Sequence, residues 1–315
     1  MVVFSKFIII GAAVSVIVIL TIFIILNSNE FEQNSSNITK TSPSNITKTS
    51  LISEVKFLGI IETFGREEGQ LDTPSGIQFF NNQLFVIDTG NNRIQIFSED
   101  LDFKSMIDLS QYQFGVPRGI AVTSDKIFVA YDPLVNLSGM YEIHSFDYDG
   151  DLLSKFPISW TTDLEADEDF VYVLEPHRRA IQIYDHVGTF TNKFEAHENV
   201  HYINSNQNKL ILSGPHPSVN ISPEVMIYDK NSGVLEKRFP TDGLATGSAI
   251  TENNVFLLDS DIIKIFDFDG NLIYEHDLEI GISDTQYYEI EINDNIVYVS
   301  DEIGHSIQIL KLIYE

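Results

Sequence analysis

One unit recurs six times after residue 50, and this repetition constrains the fold more than any other feature. Its first matching runs are rich in β-branched and aromatic residues, and their starts lie 43, 44, 39, 45 and 42 residues apart. The runs are LFVID (84–88), IFVAYD (127–132), VYVLE (171–175), LILSG (210–214), VFLLD (255–259) and VYVSD (297–301). A fixed period of this size is the signature of a repeat architecture.

A second apolar run follows each first run, and a turn with Asp and Gly closes most units. The second runs are IQIF (94–97), IHSF (143–146), IQIY (181–184), VMIY (225–228), IKIF (263–266) and IQIL (307–310). The turns lie at 147–150, 185–188, 229–233 and 267–270, each beginning with Asp and ending with Gly. Such turns connect antiparallel strands. Each unit therefore predicts four antiparallel strands in about 40–45 residues, the size of a propeller blade.

The sixth unit has only three strands before the chain ends at Glu315. The segment from Val55 to Gly65 is a candidate for the missing outermost strand, because it is β-rich and precedes the first unit. Supplying that strand would close the ring and remove open sheet edges. We therefore predict an all-β, six-bladed propeller over residues 51–315.

The first unit resembles an NHL repeat. Its Pro74–Ile77 segment is followed by Leu84–Phe97, which contains Asp88 and Arg93 at the spacing of the Asp…Arg pair of that family. Parts of the same pattern recur at 117–122, 177–184 and 304–309. The resemblance implies a six-bladed propeller of NHL or TolB type. It implies a structural role for the Asp88–Arg93 pair, which ties one strand to the next.

Polar residues on the predicted innermost strands are the candidate ligand site. In a propeller these strands line the central channel, and a fixed offset before each first run locates them. The candidate residues at the channel mouth are Arg118, Asp163, Glu165, His201, Tyr202, Asn204, Glu289 and Glu291. Carboxylate and amide oxygens suit Ca²⁺ or Mg²⁺, and histidine suits Zn²⁺. A polar, water-filled channel without a ligand is the alternative.

The first fifty residues predict a membrane anchor and a tether. The segment 7–26 holds no charge and is about 30 Å long as a helix, which matches a bilayer core. Lys6 precedes it and acidic residues follow, so residues 1–6 are expected in the cytoplasm and the rest outside. A cleaved signal peptide is the competing interpretation. Residues 27–50, rich in Ser, Thr and Asn, predict a flexible stalk.

Five sequons for N-linked glycosylation accompany this expected extracytoplasmic placement. Three fall in the stalk and two within the repeats, at Asn34, Asn37, Asn45, Asn136 and Asn220. An unmodified polar tether is the alternative interpretation of the stalk.

The charge balance excludes some partners. The chain has 46 acidic and 19 basic residues, a net charge of −27, and no cysteine. Nucleic acid is excluded as a partner because such proteins need basic surfaces, and disulfides and thiolate metal sites are excluded. Excess acidity favours cationic partners. Since no catalytic motif is present, no catalytic residue and no firm cofactor are assigned.

Two functions remain open at this point, beside a purely structural role at the cell surface, which would show neither a ligand nor a converging site. The first is a membrane-anchored, extracytoplasmic propeller that binds a protein, peptide or glycan. The second is a metal-assisted enzyme, lactonase-like or lyase-like, which would use a divalent cation at the channel mouth. Convergence of the acidic candidates on one point would discriminate between the two.

Overall fold

The computed structural model describes residues 52–315 apart from 113, 134–139, 162, 198–199, 215–222, 244 and 279–288. Within these residues the chain forms six antiparallel sheets of four strands each. Blades 1 to 3 comprise β2 (Pro74–Phe80), β3 (Gln83–Asp88), β4 (Arg93–Ser98) and β5 (Phe103–Asp108); β6 (Val116–Val122), β7 (Ile127–Asp132), β8 (Tyr141–Phe146) and β9 (Leu152–Ile158); and β10 (Asp163–Ala166), β11 (Phe170–Glu175), β12 (Ala180–Asp185) and β13 (Phe190–Glu195).

Blades 4 to 6 follow the same order, and the last blade takes its fourth strand from the start of the domain. They comprise β14 (Tyr202–Ser205), β15 (Lys209–Gly214), β16 (Glu224–Asp229) and β17 (Leu235–Pro240); β18 (Gly247–Ile250), β19 (Asn254–Asp259), β20 (Ile262–Asp267) and β21 (Leu272–Asp277); and β22 (Ile290–Asn293), β23 (Ile296–Asp301), β24 (Ser306–Tyr314) and β1 (Ile52–Ile61). Short 3₁₀ turns lie at Thr89–Asn91 and Pro176–Arg178.

The sheets form a closed wheel. Their first strands contact one another in the cyclic order β2, β6, β10, β14, β18, β22 and back to β2. The predicted six-bladed propeller is thus confirmed.

The second strand of a blade is apolar on both faces because a neighbouring blade packs against each face. In β3, Val86 lies in one buried cluster with Ile309 of blade 6. The adjacent Phe85 points to the other face and lies in a second cluster with Val129 of blade 2. Burial on both faces explains why the first runs of the repeat are continuous apolar segments.

The ring closes through β1, as the incomplete sixth unit predicted. This strand pairs antiparallel with β24, with Val55 opposite Leu312 and Ile61 opposite Ile307. A register shift lies between Phe57 and Gly59. The strand is placed at 52–61, so it begins earlier and ends earlier than the segment read from the sequence.

The predicted Asp-to-Gly turns form and pack against the preceding blade. In the turn of blade 3, the side chain of Asp185 accepts a hydrogen bond from the backbone N–H of Thr189 at 2.7 Å. Gly188 has a φ of +88°, and a Cβ added there would lie 2.3 Å from the ring of Phe156 in blade 2. Glycine is therefore required at position 188 for two reasons: the left-handed backbone conformation and the close approach to Phe156.

The wheel has two different faces. We call the first the short-turn face: its connections, such as 81–82, 147–151 and 230–234, span no more than five residues. We call the other the long-loop face, because the twelve-residue connection 62–73, between β1 and β2, lies there. Since Ile52 pairs with Tyr314, the chain enters β1 and leaves β24 on the short-turn face.

The Asp88–Arg93 pair fastens the connection from β1 to β2. Arg93 Nε donates to Asp88 Oδ2 at 2.7 Å, and both side chains are buried. The remaining guanidinium nitrogens donate to the carbonyl oxygens of Arg66 and Glu67 at 2.9 Å and of Gln70 at 2.8 Å. The arginine thus holds the incoming chain on blade 1, in keeping with the structural role that the repeat resemblance implied.

Several sequence predictions lie outside the described residues. These are the anchor 7–26 with its flanks 1–6 and 27–50, and the sequons Asn34, Asn37, Asn45, Asn136 and Asn220. In the part of the chain that the structure describes, no helix has the length and apolar character needed to cross a membrane.

Candidate functional site

Six of the eight predicted channel residues line one cavity on the axis of the wheel. They are Asp163, Glu165, Tyr202, Asn204, Glu289 and Glu291. Their ligand-binding role stays a prediction, but their convergence is a property of the structure. The cavity is small: about 20 Å³ is open to the centre of a water-sized sphere. That volume holds one or two waters or a group of similar size.

The four carboxylates come from opposite sides of the ring. Asp163 and Glu165 lie two residues apart on β10 of blade 3, and alternate residues of a strand point to the same side. Glu289 and Glu291 have the same spacing at the start of blade 6, three blades away. Asn204 of blade 4 shows how narrow the channel is, because its Nδ2 lies 3.5 Å from Glu291 Oε1 across the axis.

Several of these side chains also join neighbouring blades. Asp163 Oδ2 accepts a hydrogen bond from the N–H of Ile203 at 3.0 Å, which ties blade 3 to blade 4. Glu289 Oε2 accepts from the N–H of Ile77 at 2.7 Å, which ties blade 6 to blade 1. Part of the polar character of the channel is therefore structural: it satisfies backbone donors of the next innermost strand.

Burial shifts the titration of the cluster upwards. Burial raises the pKa of Asp163 to about 7, although the hydrogen bonds from the backbone N–H groups of Ile203 and Leu164 lower it in part. It raises the pKa of Glu165 to about 8, with a further upward contribution from Asp163. The pKa values of Glu289 and Glu291 are also raised well above the ordinary range, by burial first and by the neighbouring carboxylates second. The cluster therefore exchanges protons near neutral pH.

A buried lysine and a serine adjoin the cluster, and the sequence analysis did not find them. Ser205 Oγ lies 3.1 Å from Glu165 Oε2. Lys230 Nζ lies 3.4 Å from the same Ser205 Oγ and 3.1 Å from Asp167 Oδ2. Lys230 follows the third strand of blade 4, so an offset defined on innermost strands does not include it.

Arg118 and His201 do not line the cavity. Arg118 makes ion pairs with Glu302 at 2.9 Å and with Asp132 at 3.4 Å. His201 lies near the indole of Trp160, with ring centroids 6.1 Å apart. Arg118 lies in the first half of β6 and His201 immediately precedes β14, both towards the long-loop face.

The sequence analysis left a divalent cation open as part of the enzyme alternative. The acidic candidates share one cavity, but they do not form a set of ligands around one point. Within the described residues, no three Asp, Glu, His or Cys side chains stand close enough together to hold a metal ion. The carboxylates already accept hydrogen bonds from Ile77, Ile203 and Ser205. No reaction step through a metal is therefore derived from this geometry.

Comparison with known proteins shows the fold. No protein-family model matches the chain, and no curated protein matches it. A gluconolactonase from Xanthomonas campestris is similar in structure, with a TM-score of 0.55, 15% identity and coverage of 84% of this chain and 97% of that one. Streptogramin B lyase is also similar, with a TM-score of 0.53, 14% identity and coverage of 82% of this chain and 97% of that one. Hydrazine synthase from Kuenenia stuttgartiensis has a TM-score of 0.55 and 10% identity, with coverage of 80% of this chain and 99% of that one.

These similarities show a shared β-propeller fold and leave activity undecided. At such identities the fold is common while the functional sites differ.

Proposed function

We propose that this protein is a binding propeller whose axial cavity receives a positively charged group, such as a lysine ammonium, from a protein or peptide partner. The observation that carries the proposal is the convergence of four carboxylates on one cavity, with Glu165 buried and the other three half-buried. A buried carboxylate is costly unless a cation or hydrogen-bond donors compensate it. An ammonium group supplies both, with one positive charge and three donors.

The size of the cavity favours a peptide over a glycan. A space of about 20 Å³ accepts a group no larger than an ammonium or a water. Pockets for whole small molecules are typically about 300–1,000 Å³, so a sugar ring does not fit. The remainder of a partner would then lie on the wheel outside the cavity, where the net negative charge of the chain attracts cationic segments.

The cellular setting is part of the same proposal. The motif around Asp88 and Arg93 supports membership among NHL-type propellers. The apolar segment 7–26 supports attachment to the cell membrane as a single-pass anchor, with the wheel on the extracytoplasmic side. The alternative enzyme function, lactonase-like or lyase-like, has no described metal-binding geometry to support it.

Calorimetry on the full chain in detergent tests the proposed function at pH 8. The probes are the peptide Gly-Gly-Lys-Gly-Gly, its N-ε-acetyl-lysine counterpart and Ca²⁺ alone. We expect the lysine peptide to bind and the acetylated peptide not to bind. Glu291→Gln should weaken binding at least about tenfold, equivalent to about 1.4 kcal/mol. Asp269→Asn is the matched control, because it removes an exposed carboxylate and should leave binding unchanged.

Two outcomes would contradict the proposal. Equal binding of both peptides would show that the ammonium is not recognised. Stoichiometric Ca²⁺ binding that Glu291→Gln abolishes, with no peptide binding, would favour the metal-dependent alternative.

A further inference from the structure

Lys230 is a buried cation that adjoins the axial cluster through Ser205. Its side chain is only 7% exposed, and its Nζ also lies 5.0 Å from the centre of the Tyr172 ring. Buried lysines are rare, because the ammonium must find compensating partners. Here the compensation comes from Asp167, at 3.1 Å, and from the oxygen of Ser205, at 3.4 Å.

The chain of hydrogen bonds from Lys230 to Glu165 has one direction. An ammonium can only donate, so Ser205 Oγ accepts from Lys230. The serine proton is then directed to Glu165 Oε2, 3.1 Å away. This arrangement requires an acceptor oxygen at Glu165, which the ionised carboxylate provides best. Lys230 and Ser205 therefore both favour the charged form of Glu165.

The other three carboxylates have different neighbours. Asp163 accepts from the backbone N–H groups of Ile203 and Leu164, at 3.0 and 2.8 Å. Glu289 accepts from the backbone of Ile77, and Glu291 lies beside the amide of Asn204. The connection through Ser205 thus distinguishes one carboxylate from the rest. Through the ion pair of Lys230, the same connection reaches Asp167, whose side chain is one-third exposed near the short-turn face.

We propose that Lys230 is a positioning residue: through Ser205 it stabilises the ionised form of Glu165 and thereby sets the pH at which the cavity accepts the ammonium of a partner. This inference rests on the proposed function. Lys230 does not contact the partner itself. The charged and titratable groups that act on Glu165 are Asp163, Glu289 and Glu291, which oppose its ionisation, and Lys230, which favours it. Asp167 and Tyr172 face Lys230 from the other side.

The direct test is the carboxyl ¹³C NMR titration of Glu165 in the unliganded full chain labelled with ¹³C-glutamate. Glu165→Gln identifies the signal by its loss. We expect Lys230→Met to move the midpoint of this titration upwards by at least about one pH unit, and Lys230→Arg to restore it. Lys237→Met is the matched control, because Lys237 pairs with Asp269 on the surface, and it should leave the midpoint unchanged. Ser205→Ala should give an intermediate shift and serves if Lys230→Met does not fold.

The peptide titration then connects this effect to binding. The affinity for Gly-Gly-Lys-Gly-Gly should rise with pH in the wild type, and Lys230→Met should move that rise to higher pH. If the Glu165 midpoint moves by less than about 0.3 pH units in both Lys230→Met and Ser205→Ala, the role of Lys230 is wrong. If the midpoint moves but no peptide binds at any pH, the coupling is correct and the proposed function fails.

Discussion

Replacing Arg93 by Met should destabilise the wheel far more than losing an ordinary surface ion pair. The guanidinium holds one buried carboxylate and three carbonyl oxygens of the chain that leads into blade 1. Removing one partner of a buried ion pair costs about 3–5 kcal/mol, because the other charge stays buried. Asp88 keeps donors from the Asp72 backbone and from Asn91 and Gln95. We therefore expect Arg93→Met to lower the free energy of unfolding by about 3 kcal/mol, the lower end of that range.

Urea unfolding of the full chain, followed by the fluorescence of Trp160, measures this loss. A loss of about 3 kcal/mol corresponds to about 6–12 °C in Tm for a domain of this size. Lys193→Met is the matched control: its ion pair with Glu195 is also short, at 2.9 Å, but both side chains are more than half exposed. Such surface pairs contribute about 1 kcal/mol or less.

A double-mutant cycle separates the ion pair from the carbonyl contacts. Asp88→Asn together with Arg93→Met should cost less than the two single changes added, by about 1.5 kcal/mol or more, since no charge is then left buried. The reasoning would be refuted if Arg93→Met and Lys193→Met lay within 1 kcal/mol of each other.

Three further predictions follow from the fold and the cluster. Deleting β1 should lower the free energy of unfolding by at least about 3 kcal/mol and cause association detectable by light scattering, because an open edge is exposed; a chain that keeps β1 but lacks the residues before it should melt like the full chain. Gly188→Ala should cost about 1–3 kcal/mol in urea unfolding, since the residue has a φ of +88° against Phe156, whereas Gly59→Ala, which meets only ordinary contacts, should be nearly neutral. Because the folded cluster holds protons that the unfolded chain releases, stability should fall as pH rises from about 4.5 through about 8; Glu291→Gln should make this decline shallower, and an unchanged slope would count against the shared cluster.

The blade count and the ring closure could be predicted because they follow from local patterns. Apolar runs at a fixed period require strands buried on both faces, and a unit lacking one strand requires that strand from elsewhere. The boundaries of β1 were less accessible, because the register shift between Phe57 and Gly59 depends on pairing with β24 rather than on the strand itself.

The candidate site was predictable only along the innermost strands. The offset that placed Asp163 and Glu165 relies on alternation within one strand, and that rule holds in the structure. It selected Arg118 as well, because an offset cannot distinguish the axis from the long-loop face. Lys230 was missed because its contact with Ser205 joins the turn after β16 to the end of β14, and such a contact follows from tertiary packing rather than spacing.

The position of Ile52 also decides how the wheel responds to mechanical pull. The chain enters β1 on the short-turn face, and β1 then runs along β24 through the depth of blade 6. A force applied upstream of Ile52, away from that face, acts along the strand, whereas the ladder hydrogen bonds lie across it. The hydrogen-bonded residue pairs between β1 and β24 are therefore all loaded at the same time, in shear, instead of breaking one after another. The strand that closes the ring is thus also oriented to withstand traction.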